Sequence, residues 1–363
     1  GIWVSEYRIE SGLNCGGHVF PSNGQLLGPI LDEFKKKKTE FIDLLKKTYD
    51  DAIKKRFNDG RCFNHEMLFT VQGGVCTSEE HNYLMDHYGM EAVGWGTPFM
   101  LVPEAVTVDD DTIAKLAKAT EEDLYVSPSS PLNVGFNNFK ASDSERHREA
   151  LIAEGRPGSS CPKGHLSFNT EFTDKPICLA SRQYQALKID QLKNEIKDQV
   201  MLDAEIEKVL VKSCICHDLG TTALRLRHIG NMKTHFPAVC PGPTLAYFSK
   251  IATLKEMVAH VYGRINLSPI ANKPHMFIKE AKMYVDKFVE DCKACTPDSN
   301  PKQLKTINDF LCNLVESIDY YVELFPQMAS ATKDARDKAL TELQAFKAQL
   351  ESCIAQYAFL SLS

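Results

Sequence analysis

The spacing of apolar positions divides this chain into a front part where strands and helices alternate and a back part built of helices. Residues 3–10 alternate apolar and polar as a strand does, and they run into Gly12, Gly16 and Gly17. Leu27, Ile30, Leu31, Phe34, Phe41, Leu44 and Leu45 then recur at helical spacing, which predicts a long helix over 24–57. "MLFTV" at 67–71 is a short apolar run closed by Gly73 and Gly74, the pattern of a buried parallel strand. Thr77 and Ser78, followed by Glu79 and Glu80, signal a helix start, and Gly89 is its natural stop. "EAVGWG" at 91–96 reads as another buried strand ending in glycine. Strand, helix, strand, helix, strand in this order implies parallel pairing.

After a short helix near 110–119, residues up to 180 are dominated by Pro, Gly, Ser and Asn, which predicts a long loop region with little regular structure. Phe136, Phe139, Phe168 and Phe172 argue that this loop is ordered. From about 181 the pattern is helical again, with one candidate over 187–211 and another over 253–264. Three more helices are expected near 274–294, 301–325 and 329–359, punctuated by Pro274, "TPDSNP" and Pro326. The expected organisation is an α/β region over 1–120, a loop-rich connection with cysteine over 121–180, a mixed helical region over 181–270 and a helical bundle over 271–363.

Composition changes this picture little. The chain has 363 residues, 43% hydrophobic and 25% charged, as soluble globular proteins do. A net charge of −6 with no basic domain argues against nucleic acid as a partner. The one basic run, "KKKK" at 35–38, shares its helix with Asp32, Glu33, Glu40 and Asp43 and reads as a solvated face. The longest apolar stretch, 92–106, is broken by Gly94, Gly96, Pro98, Pro103 and Glu104, so no membrane span is expected. The opening residues do not read as a signal peptide, and a cytoplasmic location is expected.

The candidate chemistry lies at the glycines. Each front-part strand ends in a glycine corner: "CGGH" at 15–18, "QGGV" at 72–75 and "GWGT" at 94–97. Glycine lets backbone N–H groups approach a ligand closely, and helix N-termini after such corners favour phosphate. The ordered set "SGLNCGGHVF", "TVQGGVCTSEEH" and "YGMEAVGWGTPFMLVPEA" resembles the carboxyl-terminal half of the FMN-dependent nitronate monooxygenase (2-nitropropane dioxygenase-like) family. It is also similar to the flavin-dependent enoyl reductase component of polyunsaturated fatty acid synthases, whose Gly-Gly-His leads into a segment like "SNGQLLGPILDEF". The resemblance covers about 110 residues of the 363.

The resemblance implies a fold and a site. The fold is the carboxyl-terminal part of a TIM-type (β/α)8 barrel, followed by the loop-rich region and the helical domain. Gly73, Gly74, Gly96 and Thr97 would hold the FMN phosphate, and Gly16 and Gly17 would lie near the flavin. His18 would be the acid–base group of an FMN-dependent oxidoreductase acting on a small molecule, with Cys15 beside it as a redox or proton-relay group or simply a small buried residue. This sequence departs from the family at Asn14-Cys15, at Gln72 and Val75, and at Met90-Glu91, which bears on the substrate more than on the flavin. Eight βα units take about 250 residues, and the first residue is Gly rather than Met. A chain or N-terminal fragment supplying the first half of the barrel is therefore expected, as is an oligomer.

Twelve cysteines remain to be read. Cys161, Cys178, Cys214, Cys216 and Cys240 fall close together in sequence, in Cys-Pro and Pro-x-Cys settings that suit an iron–sulphur cluster. Four thiolates would equally make a zinc site, with His165 or His217 as substitutes, and buried thiols are the plain alternative. Cys292 and Cys295 form a lone CxxC in a helix and carry less weight. Arg264, at the end of "TLKEMVAHVYGR", reads either as a carboxylate or phosphate ligand or as part of helix packing. Two functional alternatives stand beside the flavoenzyme: a non-catalytic scaffold or subunit keeping a decayed half-barrel, and an iron–sulphur or zinc protein built on the central cysteines.

Overall fold

The structure is a computed structural model and describes residues 3–357 except 17–18, 21, 58–65, 160–162, 269, 271–272 and 297–298. Strand β1 (Glu6–Glu10) is followed by helix α1 (Leu27–Phe57), strand β2 (Leu68–Gln72), helix α2 (Ser78–Tyr88) and strand β3 (Ala92–Gly94). The strands form a parallel sheet in the order β1-β2-β3, with Ile9 beside Val71 and Val71 beside Val93. This is the βαβαβ unit expected from the pattern. Helix α2 starts on a capping box, Thr77 with Glu80, and stops on Gly89, whose φ of +68° suits glycine.

Alternation along the strands gives the sheet two unlike faces. Tyr7, Ile9, Phe69, Val71 and Val93 belong to one hydrophobic core. The opposite side of β1 presents Glu6, Arg8 and Glu10, all exposed. On that side Thr70 Oγ1 donates to Glu6 at 2.7 Å, and Gln72 Nε2 donates to Glu10. Parallel sheets are ordinarily covered on both faces; this one is apolar and covered on one face and polar on the other.

The middle of the chain is more regular than its composition suggests. After helix α3 (Asp110–Leu116), strands β4 (Leu124–Ser127) and β5 (Phe136–Phe139) pair antiparallel, and helix α4 (Asp143–Ala153) follows. The loop expected over 107–180 is thus corrected to a hairpin and a helix. All four residues of "FNNF" are buried, Asn137 and Asn138 included, because side-chain hydrogen bonds satisfy their amides. A polarity pattern cannot distinguish such a strand from a loop.

The helix expected over 187–211 is two helices, α5 (Arg182–Glu195) and α6 (Gln199–Leu210). Ile196 turns extended after α5, and Asp198 caps α6 by accepting from Met201 N at 2.8 Å. Short helices α7 (Ile215–Asp218) and α8 (Thr221–Leu226) lead to α9 (Leu254–Val261). The three terminal helices are α10 (Met276–Lys293), α11 (Pro301–Leu324) and α12 (Lys333–Gln356).

Helices α10 to α12 do not close a core of their own. Phe277, Ala281, Tyr284, Phe288, Leu311, Leu314 and Tyr321 belong to the same buried cluster as Ile9, Phe69 and Val71. The boundary expected at 270/271 therefore separates stretches of chain that share one core. Each such buried large apolar side chain is worth roughly 1.5–3 kcal/mol over its exposed state. The lysine run on α1 is a solvated face with partners: Lys36 pairs with Asp32, Lys37 with Glu33 and Lys38 with Glu91. No described helix is long and apolar enough to cross a membrane.

Candidate functional site

The three parallel strands end side by side, so their glycine corners meet. Asn14, Cys15, Gly73, Gly74, Gly96 and Thr97 line one cavity of about 170 Å³ beyond the carboxyl ends of β1, β2 and β3. Gly73 and Gly74 have φ of +103° and +85°, a pair of conformations that side chains disfavour. A Cβ on Gly96 would stand 2.4 Å from Cys15 Sγ, so glycine is needed there for close approach. The structure thus brings together five of the residues expected at this site, Cys15, Gly73, Gly74, Gly96 and Thr97, and adds Asn14. Gly16 is next to it, with φ of +76°. Gly17 and His18 lie outside the described residues.

Two elements that sequence reasoning left out build the walls. The "CPGP" turn at 240–243 closes over the corners: Gly16 N donates to Cys240 O at 3.1 Å, and Gly242 N donates to Thr97 Oγ1 at 3.2 Å. A Cβ on Gly242 would meet Leu13 O at 2.5 Å. From β5, Asn137 Nδ2 donates to the carbonyls of Asn14 at 2.9 Å and Gly12 at 3.3 Å. Pro241 and Pro243 around Gly242 make a local turn signal, but nothing in sequence places that turn against Thr97, 145 residues before it. Asn14 is 3% exposed; its Nδ2 donates to Glu10 Oε2 at 3.0 Å, while its Oδ1 has no partner among the described residues. A buried amide oxygen without a partner is costly unless something else meets it.

The electrostatics of the corners are uneven. Burial pushes the Cys15 thiol up, and a hydrogen bond with Thr97 opposes that only in part, so a neutral thiol is the form favoured. The N-terminus of α2, behind Gly73 and Gly74, already holds a carboxylate: Glu80 Oε2 accepts from Cys76 N at 2.8 Å and Thr77 N at 3.2 Å. Its Oε1 accepts from Met276 N at 2.9 Å. The N-terminus of α1 is held the same way by Glu280 of α10, which accepts from Leu27 N at 2.9 Å and Gly12 N at 3.1 Å. Each helix start thus already faces a carboxylate, which disfavours a second anion there. The short 3-10 turn after β3 (Thr97–Leu101) carries no side-chain cap.

The central cysteines separate. Cys240 belongs to the wall of the glycine corner. Ser159 joins the segments of Cys178 and Cys214, since its N–H donates to Ala180 O at 3.1 Å and its hydroxyl is hydrogen-bonded to the Cys214 thiol. Burial and the neighbouring Cys216 push that thiol up to about 12. Cys161 lies outside the described residues. Among the described residues no three His, Cys, Asp or Glu side chains form a group able to hold a metal. His217 is hydrogen-bonded to Asp218 at 3.1 Å, and Phe168 is 70% exposed, so it shields no such group. Arg264 stacks over Tyr262 at 5.5 Å.

Neither family models nor curated proteins nor solved structures give a match to this chain.

Proposed function

We propose that the chain is the carboxyl-terminal part of an FMN-dependent oxidoreductase of the nitronate monooxygenase and enoyl reductase type, built on a (β/α)8 barrel completed by another segment of polypeptide. The observation that carries this reading is the meeting of three glycine corners around one cavity, at the carboxyl ends of successive parallel strands. In β/α barrels the phosphate commonly sits on the loops after the last two strands, beside a short extra helix. Here β2 and β3 end in those glycines, and the 3-10 turn follows β3 directly. The polar, open face carrying Glu6, Arg8 and Glu10 supports a completing partner, because a parallel sheet is ordinarily covered on both sides.

The residues fit the group in part. A cavity of about 170 Å³ suits a phosphate, whereas whole ligands occupy pockets of roughly 300–1,000 Å³. Gly73, Gly74, Gly96 and Thr97 would hold the phosphate, since the starts of α2 and α1 already face the carboxylates of Glu80 and Glu280. Flavin, when bound, supplies a two-electron acceptor. The chain's own tasks are to bind it, to exclude water with the 240–243 turn and to move a proton at His18, histidine being the side chain most often used for acid–base work.

The test is the colour of purified native protein. Flavin absorbance with extractable FMN in stoichiometric amount is expected. Gly96→Val should expel the flavin while helical circular dichroism persists. Colourless protein with no extractable FMN, even in the presence of the completing segment, would remove this reading. A second reading is then left, a non-catalytic half-barrel scaffold, favoured by the carboxylates seated at both helix N-termini. Such a scaffold would run as a stable, colourless species alone in native mass measurement.

A further inference from the structure

A larger cavity lies away from the glycine corners and shares no lining residue with them. It measures about 560 Å³, within the range of roughly 300–1,000 Å³ typical of small-molecule sites. It opens between α4, the Gly158–Ser159 turn, the start of α5 and the segment 212–218. Its charge is opposite to that of the chain, whose net is −6. Five lysine and arginine side chains line it against two carboxylates, Glu154 and Asp218.

Three of these cations lack a counter-charge. Arg148 is paired with Glu145 at 2.9 Å and Arg156 with Glu154 at 3.7 Å. Arg182, Lys212 and Lys233 have no carboxylate partner among the described residues. Arg182 Nη2 donates to Gly158 O at 3.3 Å, while its Nε is buried with no partner. Lys212 Nζ meets only the carbonyls of Pro128 at 2.6 Å and Ser130 at 3.1 Å. Ser213, 7% exposed, also lines the cavity, and its hydroxyl has no partner among the described residues. Buried polar groups are almost always satisfied, so the two buried donors without a partner, Arg182 Nε and the Ser213 hydroxyl, call for an acceptor in this cavity, beside two ammonium groups that have no counter-charge among the described residues. Asp218 does not supply it, being occupied by Ser144 Oγ at 2.6 Å and by His217.

We infer that this cavity is a ligand site for a small phosphorylated molecule, gripped through its phosphate by Arg182, Lys212, Lys233 and Ser213. A guanidinium fork, two ammonium groups and a hydroxyl match a dianion with three acceptor oxygens better than a single carboxylate. The inference does not rest on the flavin reading, because no residue of the glycine corners takes part.

Calorimetric titration of the full chain with inorganic pyrophosphate tests it. Saturable binding at one site per chain is expected. Arg182→Gln and Lys212→Met should each weaken it by roughly tenfold or more, the scale of a lost charge-assisted hydrogen bond. Lys46→Gln, on the far helix α1, should leave it unchanged. Should the buried substitutions unfold the protein, Lys233→Gln alters an exposed side chain and must still weaken binding. Absence of binding by the unaltered protein overturns the proposal. So does binding indifferent to the cavity substitutions, and so does malonate binding as tightly as pyrophosphate.

Discussion

The Sγ of Cys15 occupies the space where a side chain on Gly96 would begin, 2.4 Å from an ideal Cβ, and apart from the adjoining chain no other heavy atom of the described residues lies within 4 Å of that point. Two corners of the sheet are therefore complementary: a bare backbone on one admits a thiol from the other. Gly96 has φ of −101°, so only the contact restricts it. Gly96→Ala should destabilise the fold by about 1–3 kcal/mol through overpacking. Cys15→Ala removes the obstructing atom, and the double substitution should recover part of the loss, with a coupling energy of roughly 0.5–3 kcal/mol in urea unfolding. Strict additivity of the two changes would show that the sulphur does not set the need for glycine.

Glu280 ties the terminal helices to the first corner and should make stability depend on pH. Burial raises its carboxyl from the ordinary 4.5 to about 7, against hydrogen bonds from Leu27 and Gly12 that favour the charged form. The folded state then binds more protons than the unfolded one between those values. Its contribution is full below about pH 4.5 and declines as pH rises through 7, by about 3 kcal/mol in all. Glu280→Gln should flatten the fall in unfolding free energy over this window. An unchanged slope in the variant would assign the pH dependence to other groups.

Glu80 joins the second corner to α10 through three backbone N–H groups, those of Cys76, Thr77 and Met276. Glu80→Ala leaves two buried donors and a partly buried one without an acceptor, and a loss of about 2 kcal/mol or more is expected, each orphaned buried donor costing about 1–3 kcal/mol. Hydrogen exchange should quicken together at the start of α2 and the start of α10. Quickening at α2 alone would mean that Met276 finds another acceptor.

His18 carries the chemistry in the flavoenzyme reading. His18→Ala should keep flavin bound while turnover falls by roughly two to four decades. Loss of flavin along with activity would make the residue a binding group, and unchanged turnover would take it out of the mechanism.

Much of the front of this chain is local and so is written in its sequence. Apolar runs of strand length, a capping box at Thr77–Glu80 and a stop at Gly89 determine the strands, α2 and their parallel order, because each depends on residues a few positions apart. The same holds for the three terminal helices, whose apolar periodicity and proline breaks are local signals. The convergence of Gly73, Gly74, Gly96 and Thr97 followed from that order, since parallel strands must end on the same side. Only the tertiary structure decided the rest. Asn137 and Asn138 form a buried strand because distant carbonyls and Glu145 satisfy their amides. The 240–243 turn became a wall of the corner through Thr97 and Cys240. Glu280 took the start of α1, which sequence offered to phosphate, and Glu80, already the local cap of α2, was tied to Met276 of α10. The terminal helices joined the sheet's core, and unpaired cations gathered between α4 and α5. In most of these cases the deciding contact joins residues tens to hundreds of positions apart, and its energy comes from burial and desolvation, which no local pattern of residues contains.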